Sequence, residues 1–95
     1  MARTTDGQDV RDSVEAETRQ VMENIGRVLK QNGYTFDEVV NATVYLADIK
    51  DYQTVNKVYG AYFKKDFPAR ACIGGASLVE GFKVEISCIA YHPEN

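Results

Sequence analysis

The sequence predicts an α+β domain, in which two amphipathic helices pack on one face of a mixed three-stranded β-sheet. Two segments repeat apolar residues at helical spacing, one segment between them alternates apolar and polar residues, and two strand-like segments close the chain. Strand, helix and strand in succession are typical of a parallel crossover. Because two helices cover only one face of such a sheet, we expect another copy of the chain to cover the other face.

The first helix is predicted from a stripe of residues at spacings of four and three. Its members are Val14, Thr18, Val21, Ile25 and Val28. Asp12, followed by Glu15, resembles the start of a capping box, and Asn32-Gly33 supplies a left-handed stop. Gly26 lowers helix propensity inside this segment, so we expect another backbone to approach it closely.

The segment Val39–Leu46 alternates and predicts a half-buried strand. One face would carry Val40, Ala42, Val44 and Leu46, and the other would carry Val39, Asn41, Thr43 and Tyr45. Apolar residues recur at helical spacing over Asp51–Lys64, which predicts the second helix. We interpret its residues Tyr59, Tyr62 and Phe63 as packing in the core or at an interface. Arg70–Ser77 and Lys83–His92 are predicted as two further strands, and their short connection predicts a hairpin.

The period of two along each strand predicts which side chains share the open face of the sheet. They are Asn41, Thr43, Tyr45, Arg70, Cys72, Gly74, Glu85, Ser87 and Ile89. This pattern places a cation, Arg70, and a carboxylate, Glu85, on adjacent strands. An arginine can hold a carboxylate through two parallel hydrogen bonds, and a glutamate can position a water and accept its proton. A plain ion pair between Arg70 and Glu85, across strands or across subunits, is the alternative.

The remaining candidates have simpler alternatives. Cys72 is better explained as a small cleft-lining residue than as a nucleophile, because the only histidine, His92, lies near the end of the chain. Asn56 is better explained by a hydrogen bond from helix to strand than by a direct ligand contact. Gly74-Gly75 lies in a strand and indicates a bulge or a close backbone approach, not a phosphate loop.

Composition limits the possible functions. The 95 residues make one domain, predicted over 10–95 with a flexible arm over 1–9, and the net charge of −3 argues against non-specific nucleic-acid binding. The sequence has no bilayer-spanning run and no signal-peptide segment. The two cysteines, Cys72 and Cys88, are predicted on opposite faces and reduced, and with one histidine they cannot form a standard zinc site.

Five motifs, in order and at matching intervals, resemble the RidA (YjgF, L-PSP) family. They are Glu17-Thr-Arg-Gln-Val-Met-Glu-Asn24, Val44-Tyr-Leu-Ala-Asp48, Val55-Asn-Lys-Val-Tyr59, Phe67-Pro-Ala-Arg-Ala-Cys72 and Val84-Glu-Ile-Ser-Cys-Ile-Ala90. The resemblance covers roughly residues 9–91. It implies a chorismate-mutase-like subunit, a homotrimer with ligand sites in the clefts between neighbours, and no membrane partner.

The implied activity is the hydrolysis of reactive enamines and imines, such as 2-aminoacrylate, to 2-oxo acids and ammonia, without metal or organic cofactor. By resemblance, Arg70 binds the substrate carboxylate, Cys72 contacts the ligand through its backbone, and Asn56 belongs to the same site. Glu85 matches the acidic residue associated with the attacking water. The implied location is cytoplasmic, or mitochondrial if a natural N-terminal segment precedes this chain.

The chain departs from the family pattern at its start. Family members begin with about thirty more residues, two strands that form a hairpin and help to line the ligand cleft, and here Met1-Ala-Arg-Thr-Thr-Asp-Gly7 replaces them. Two alternatives therefore stand beside the deaminase: a non-catalytic small-molecule-binding regulator of the same fold, and a single-strand endoribonuclease or translation inhibitor. The acidic charge argues against the last of these.

Overall fold

A computed structural model describes residues 1–63 and 68–91 of the chain. The helices and strands are α1 (Val14–Gln31), β1 (Val39–Leu46), α2 (Tyr52–Gly60), β2 (Ala69–Ile73) and β3 (Val84–Ala90). Short 3-10 turns lie at Phe36–Glu38, Ile49–Asp51 and Val79–Gly81. The predicted order and the bounds of β1 are confirmed, whereas α2 begins later than expected and β2 ends earlier. The predicted ends at Lys64 and His92 lie outside the described residues.

The start of α1 is set by Ser13 rather than by Asp12. The Oγ of Ser13 accepts a hydrogen bond from the backbone N–H of Ala16 at 3.0 Å, which satisfies one of the free donors of the first turn. The predicted stop is confirmed, because Gly33 adopts φ = +79° just after the Asn32 cap.

The close approach at Gly26 comes from a side chain and not from a backbone. A Cβ at this position would lie 3.0 Å from Cε2 of the Phe36 ring. The 3-10 turn that holds Phe36 therefore packs directly on α1, and Gly26 makes room for its ring.

No helix within the described residues is long and apolar enough to cross a membrane.

The strands are ordered β2-β1-β3, with β1 at the centre. The predicted parallel pairing of β1 with β2 is confirmed. The predicted hairpin between β2 and β3 is wrong, because β3 runs antiparallel to β1 instead. The connection 74–83 crosses the end of β1 to reach its other edge, a span of about 10 Å. In this arrangement β1, the strand with the most buried residues, is hydrogen-bonded to a neighbouring strand along both of its edges.

The core lies between the sheet and the two helices. It includes Val21, Met22, Ala42, Val44, Leu46, Val55, Tyr59, Phe63, Phe82, Val84 and Ile86. The predicted core role of Tyr59 and Phe63 is thus confirmed. A bulge between Val39 and Asn41 reverses the predicted faces at the start of β1: Val39 is buried while Val40 is 48% exposed. The extra residue of a bulge shifts the alternation by one position.

The N-terminal segment lies against α1. The amide Nδ2 of Asn24 donates to the carbonyl oxygens of Met1 and Arg3 at 2.8 and 2.9 Å, and Ala2 between them is fully buried. Arg3 also pairs with Asp9 at 2.7 Å across an isolated antiparallel bridge. The division into an arm over 1–9 and a domain over 10–95, and the flexibility of that arm, remain predictions.

Candidate functional site

Arg70 lies on the face of the sheet that the helices cover. In the parallel register it pairs with Ala42, which is buried, and Cys72 pairs with Val44 on the same face. The prediction that Arg70 and Cys72 belong to the open face is therefore wrong. The period of two fixes how side chains alternate within one strand, but it does not fix which residue of β1 lies beside Arg70. The observed register differs by one residue from the assumed one, so Arg70 and Cys72 lie on the other face.

Three residues of α2 surround the Arg70 guanidinium. Nη1 donates to Oδ1 of Asn56, and Nη2 donates to the hydroxyl of Tyr52 at 3.0 Å. The ring of Tyr59 lies with its centroid 5.0 Å from Cζ of Arg70, within the range of a cation–π contact. Positions 52, 56 and 59 fall on one helix face. The hydrogen bond from helix to strand predicted for Asn56 is confirmed.

Arg70 is half-buried and lines an open cavity of about 420 Å³. The other lining residues are Asn56, Tyr59, Gly60 and Pro68. Within residues 1–63 and 68–91, no carboxylate forms an ion pair with Arg70. Its hydrogen-bond partners are both neutral, so the positive charge at the cavity wall is balanced by none of the described side chains. An anion is the ligand that such a wall favours.

The Tyr59 hydroxyl is neutral and buried next to this cavity. Removal from water raises its pKa, the Cys88 thiol raises it further, and the Arg70 charge opposes both effects. Its oxygen has no hydrogen-bond partner within the described part of the chain. Sequence reasoning assigned Tyr59 to packing and counted Tyr52 in the apolar stripe of the second helix without a role at the site, although the spacing of Tyr52 to Asn56 places both on one helix face.

Glu85 lies on the opposite face of the sheet from Arg70. It pairs with Tyr45, which alternates with the buried Val44, and it is half-buried. Because β1 separates β2 from β3, the predicted position of Arg70 and Glu85 on adjacent strands is wrong. The alternative of an ion pair between them within one subunit is also wrong. One protomer therefore does not present both side chains to the same small ligand.

The two cysteines lie on the same face, which corrects the prediction that they lie on opposite faces. Cys72 pairs with Val44 and Cys88 with Ala42, two residues that both face the helices. Both thiols are free, and two strand spacings of about 10 Å exceed the reach of a disulfide. Burial raises the pKa of the Cys88 thiol. The cleft-lining role of Cys72 remains a prediction.

Similarity to known proteins bears on this site. The chain is 46% identical over 84 residues to the human 2-iminobutanoate/2-iminopropanoate deaminase, covering 88% of this chain and 61% of that protein. It is 44% identical over 84 residues to the chloroplastic Reactive Intermediate Deaminase A of Arabidopsis thaliana, covering 88% of this chain and 45% of that protein. The chain thus spans less than two thirds of the length of these relatives.

Solved structures of related proteins also match this chain. Yeast Mmf1 matches with a TM-score of 0.91 at 33% identity, over 97% of this chain and 74% of that one. RidA from an Antarctic Psychrobacter matches with a TM-score of 0.84 at 34% identity, over 90% and 69%. The sequence model described as Endoribonuclease L-PSP matches residues 1–92. The chain therefore belongs to the Endoribonuclease L-PSP family, the RidA family that its motifs resemble.

Proposed function

We propose that this chain is a deaminase that hydrolyses small 2-imino or 2-enamino carboxylates to 2-oxo acids and ammonia. The observation that carries the proposal is the Arg70 guanidinium, which lines an open cavity of about 420 Å³ with neutral hydrogen-bond partners only among the described residues. Relatives named for the deamination of 2-iminobutanoate and 2-iminopropanoate support it. A cytoplasmic location is part of the proposal.

The cavity fits a small substrate with one negative charge. Among the described residues that line the cavity, Arg70 is the only cation, and Tyr59, Gly60 and Pro68 offer largely apolar or uncharged surface. The substrate carboxylate would take two N–H groups of the guanidinium, which fixes its orientation as well as its charge. A second carboxylate on the substrate would find no positive partner among these lining residues, so we expect monocarboxylates to bind more tightly than dicarboxylates.

The reaction needs a water and a proton acceptor beside the C=N carbon. An enamine first becomes the imine by moving one N–H proton to its terminal carbon. The water oxygen then bonds to the C=N carbon, and one water proton passes to the acceptor, which returns it to the substrate nitrogen. The second water proton also moves to the nitrogen as the C–N bond breaks, so the carbon keeps the oxygen as a carbonyl and the nitrogen leaves as ammonia. A positioned glutamate can act as this acceptor, with a contribution of about 10²–10⁴-fold in rate. We assign that role to Glu85, and Cys72 and Asn56 to the binding of the ligand.

Glu85 requires a second protomer for this role, because it faces away from Arg70 in its own subunit. We propose a homotrimer in which the open sheet faces meet and bring Glu85 to a cleft served by Arg70. The open face exposes two apolar side chains, Ile73 at 46% and Ile89 at 62%, which favours its burial against other copies.

A non-catalytic binder of small carboxylates is the second candidate, and the separation of Arg70 from Glu85 favours it. Such a protein would keep the arginine cavity without a base beside the ligand. An endoribonuclease role has less support, because the net charge is −3 and the open face presents Glu85.

The test is ammonia release from 2-aminoacrylate generated in situ, measured for the wild type, Arg70→Ala and Glu85→Gln. Arg27→Ala is the matched control, since Arg27 is an α1 arginine that donates a hydrogen bond at 2.9 Å to Oδ1 of Asn24, one turn earlier on the same helix. We expect acceleration by the wild type and the control, and a loss of about 10²-fold or more for Glu85→Gln and for Arg70→Ala.

The outcomes separate the candidates. No acceleration above the uncatalysed rate, combined with Arg70-dependent binding of a 2-oxo acid, would identify the non-catalytic binder. Equal rates for the wild type and Arg70→Ala would reject the assignment of this cavity as the active site.

A further inference from the structure

We propose that Tyr52 is a positioning residue that fixes the plane of the Arg70 guanidinium and thereby sets the affinity for the substrate carboxylate. The inference rests on the proposed function of the Arg70 cavity. It starts from the hydrogen bond between Nη2 of Arg70 and the Tyr52 hydroxyl at 3.0 Å. Tyr52 is not among the residues that line the cavity, so it acts through Arg70 and not on the ligand.

Two anchors are needed to hold a planar guanidinium in one orientation. Asn56 alone takes one N–H of Nη1 and leaves the group free to pivot about that contact. Tyr52 takes one N–H of Nη2, and because both residues belong to α2 the two anchors move as one unit. An arginine has five N–H groups, and the partners in the described part of the chain take two of them, which leaves enough for one bidentate carboxylate.

Both anchors are neutral oxygen acceptors, which matters for the charge of the site. A carboxylate in place of the Tyr52 hydroxyl would compete with the ligand for Arg70. The phenol accepts the hydrogen bond without neutralising the guanidinium, and its ring, with its centroid 5.6 Å from Cζ, adds a weak attraction. Tyr52 therefore orients Arg70 while its charge remains available.

Tyr52 lies where a capped turn meets the start of α2. It is the first residue of α2 and follows the 3-10 turn Ile49–Asp51, which is capped by Asp48 through a 3.0 Å hydrogen bond to the Lys50 N–H. The end of β2 packs on this turn, since a Cβ on Gly74 would lie 2.8 Å from Cβ of Ile49. The residue that follows the strand of Arg70 and the turn that precedes the helix of Tyr52 thus meet at a close contact.

The experiment compares Tyr52→Phe with the wild type in two assays: deamination of 2-aminoacrylate and calorimetric binding of 2-oxobutanoate. Tyr62→Phe is the matched control, because it also removes a phenolic hydroxyl from the chain, one that donates to Glu23 at 2.7 Å away from the cavity. We expect Tyr52→Phe to raise both KM and Kd about three- to tenfold with kcat within about twofold of the wild type. Tyr62→Phe should leave KM and Kd unchanged.

A double-mutant cycle separates positioning from a general structural effect. Lysine lacks the planar fork of arginine, so in an Arg70→Lys background Tyr52→Phe should change Kd by less than about twofold. An effect of the same size in both backgrounds would overturn the inference, and so would unchanged or tighter binding by Tyr52→Phe alone. If Arg70→Ala binds 2-oxobutanoate as the wild type does, the proposed function fails and this inference fails with it. A dependence on Arg70 without one on Tyr52 rejects the positioning role only.

Discussion

Glu17 shows how a single charged side chain can hold two distant segments together. It belongs to α1, is 2% exposed, and accepts a hydrogen bond at 2.9 Å from the backbone N–H of Lys83, next to the start of β3. A buried carboxylate that accepts a backbone N–H makes a strong hydrogen bond, and its removal leaves that donor without a partner. Glu17 therefore contributes to stability and lies outside the described cavity.

We expect Glu17→Ala to lower the free energy of unfolding by about 1–3 kcal/mol. Glu17→Gln keeps an oxygen acceptor at the same place, so its cost should be about 1 kcal/mol or less. Urea denaturation of the two variants checks this. Equal losses for alanine and glutamine would show that the hydrogen bond to Lys83 is not the cause.

At the residue scale, the resemblance placed Arg70 and Asn56 in one proposed site, and the structure joins them by a hydrogen bond, but sequence reasoning assigned Arg70 to the wrong face of the sheet. The residue types indicated the chemistry, because an arginine can hold a carboxylate and a glutamate can position a water and accept its proton. The register did not follow from the sequence, since it depends on which residue of β1 lies beside Arg70. Tyr52 was missed because its hydroxyl acquires a partner only when α2 packs on β2.

At the scale of elements, periodicity predicted β1 with the observed bounds and predicted the left-handed end of α1. It failed where a local irregularity or a long-range choice intervened. The bulge near Val40 reverses the faces at the start of β1, and no residue type at this point of the sequence predicts a bulge. β3 pairs with β1 because this places β1, the strand with the most buried residues, at the centre of the sheet. A short connection between β2 and β3 would by itself favour a hairpin.

The contact between Gly74 and Ile49 is an element-scale prediction, since it joins the end of β2 to the turn before α2. The added Cβ of Gly74→Ala would lie 2.8 Å from Cβ of Ile49, so one backbone must move. We expect a loss of about 1–3 kcal/mol in the free energy of unfolding. The Kd for 2-oxobutanoate should rise as well, because Tyr52 and Arg70 would shift relative to each other.

A double-mutant cycle with Ile49→Gly provides the control. Ile49 is 57% exposed, so its replacement removes little buried surface, although glycine has its own backbone cost. The loss caused by Gly74→Ala should shrink in this background. An undiminished loss would place its origin elsewhere than in the contact with Ile49.

At the scale of the whole molecule, the sheet has one covered and one open face. The open face carries Glu85 and the exposed Ile89 on β3 and the exposed Ile73 on β2. If protomers associate through this face, a charge at Ile89 should prevent assembly while the isolated protomer folds normally. We expect Ile89→Lys to convert the proposed trimer to monomers, as measured by light scattering at micromolar concentration.

Val28→Lys is the control for this change. Val28 is 51% exposed, similar to Ile89, but it lies on α1 and not on the open face. It should leave the assembly intact. A monomeric wild type, or a trimer that survives Ile89→Lys, would contradict the role of the open face.

The central claim is that Arg70 is available to a carboxylate ligand. The most direct measurement is calorimetric titration of 2-oxobutanoate into the wild type, Arg70→Ala and Arg27→Ala. The account predicts binding by the wild type and Arg27→Ala, with none detectable for Arg70→Ala, because no positive charge is then left among the described residues that line the cavity. Equal affinity for all three proteins would contradict it.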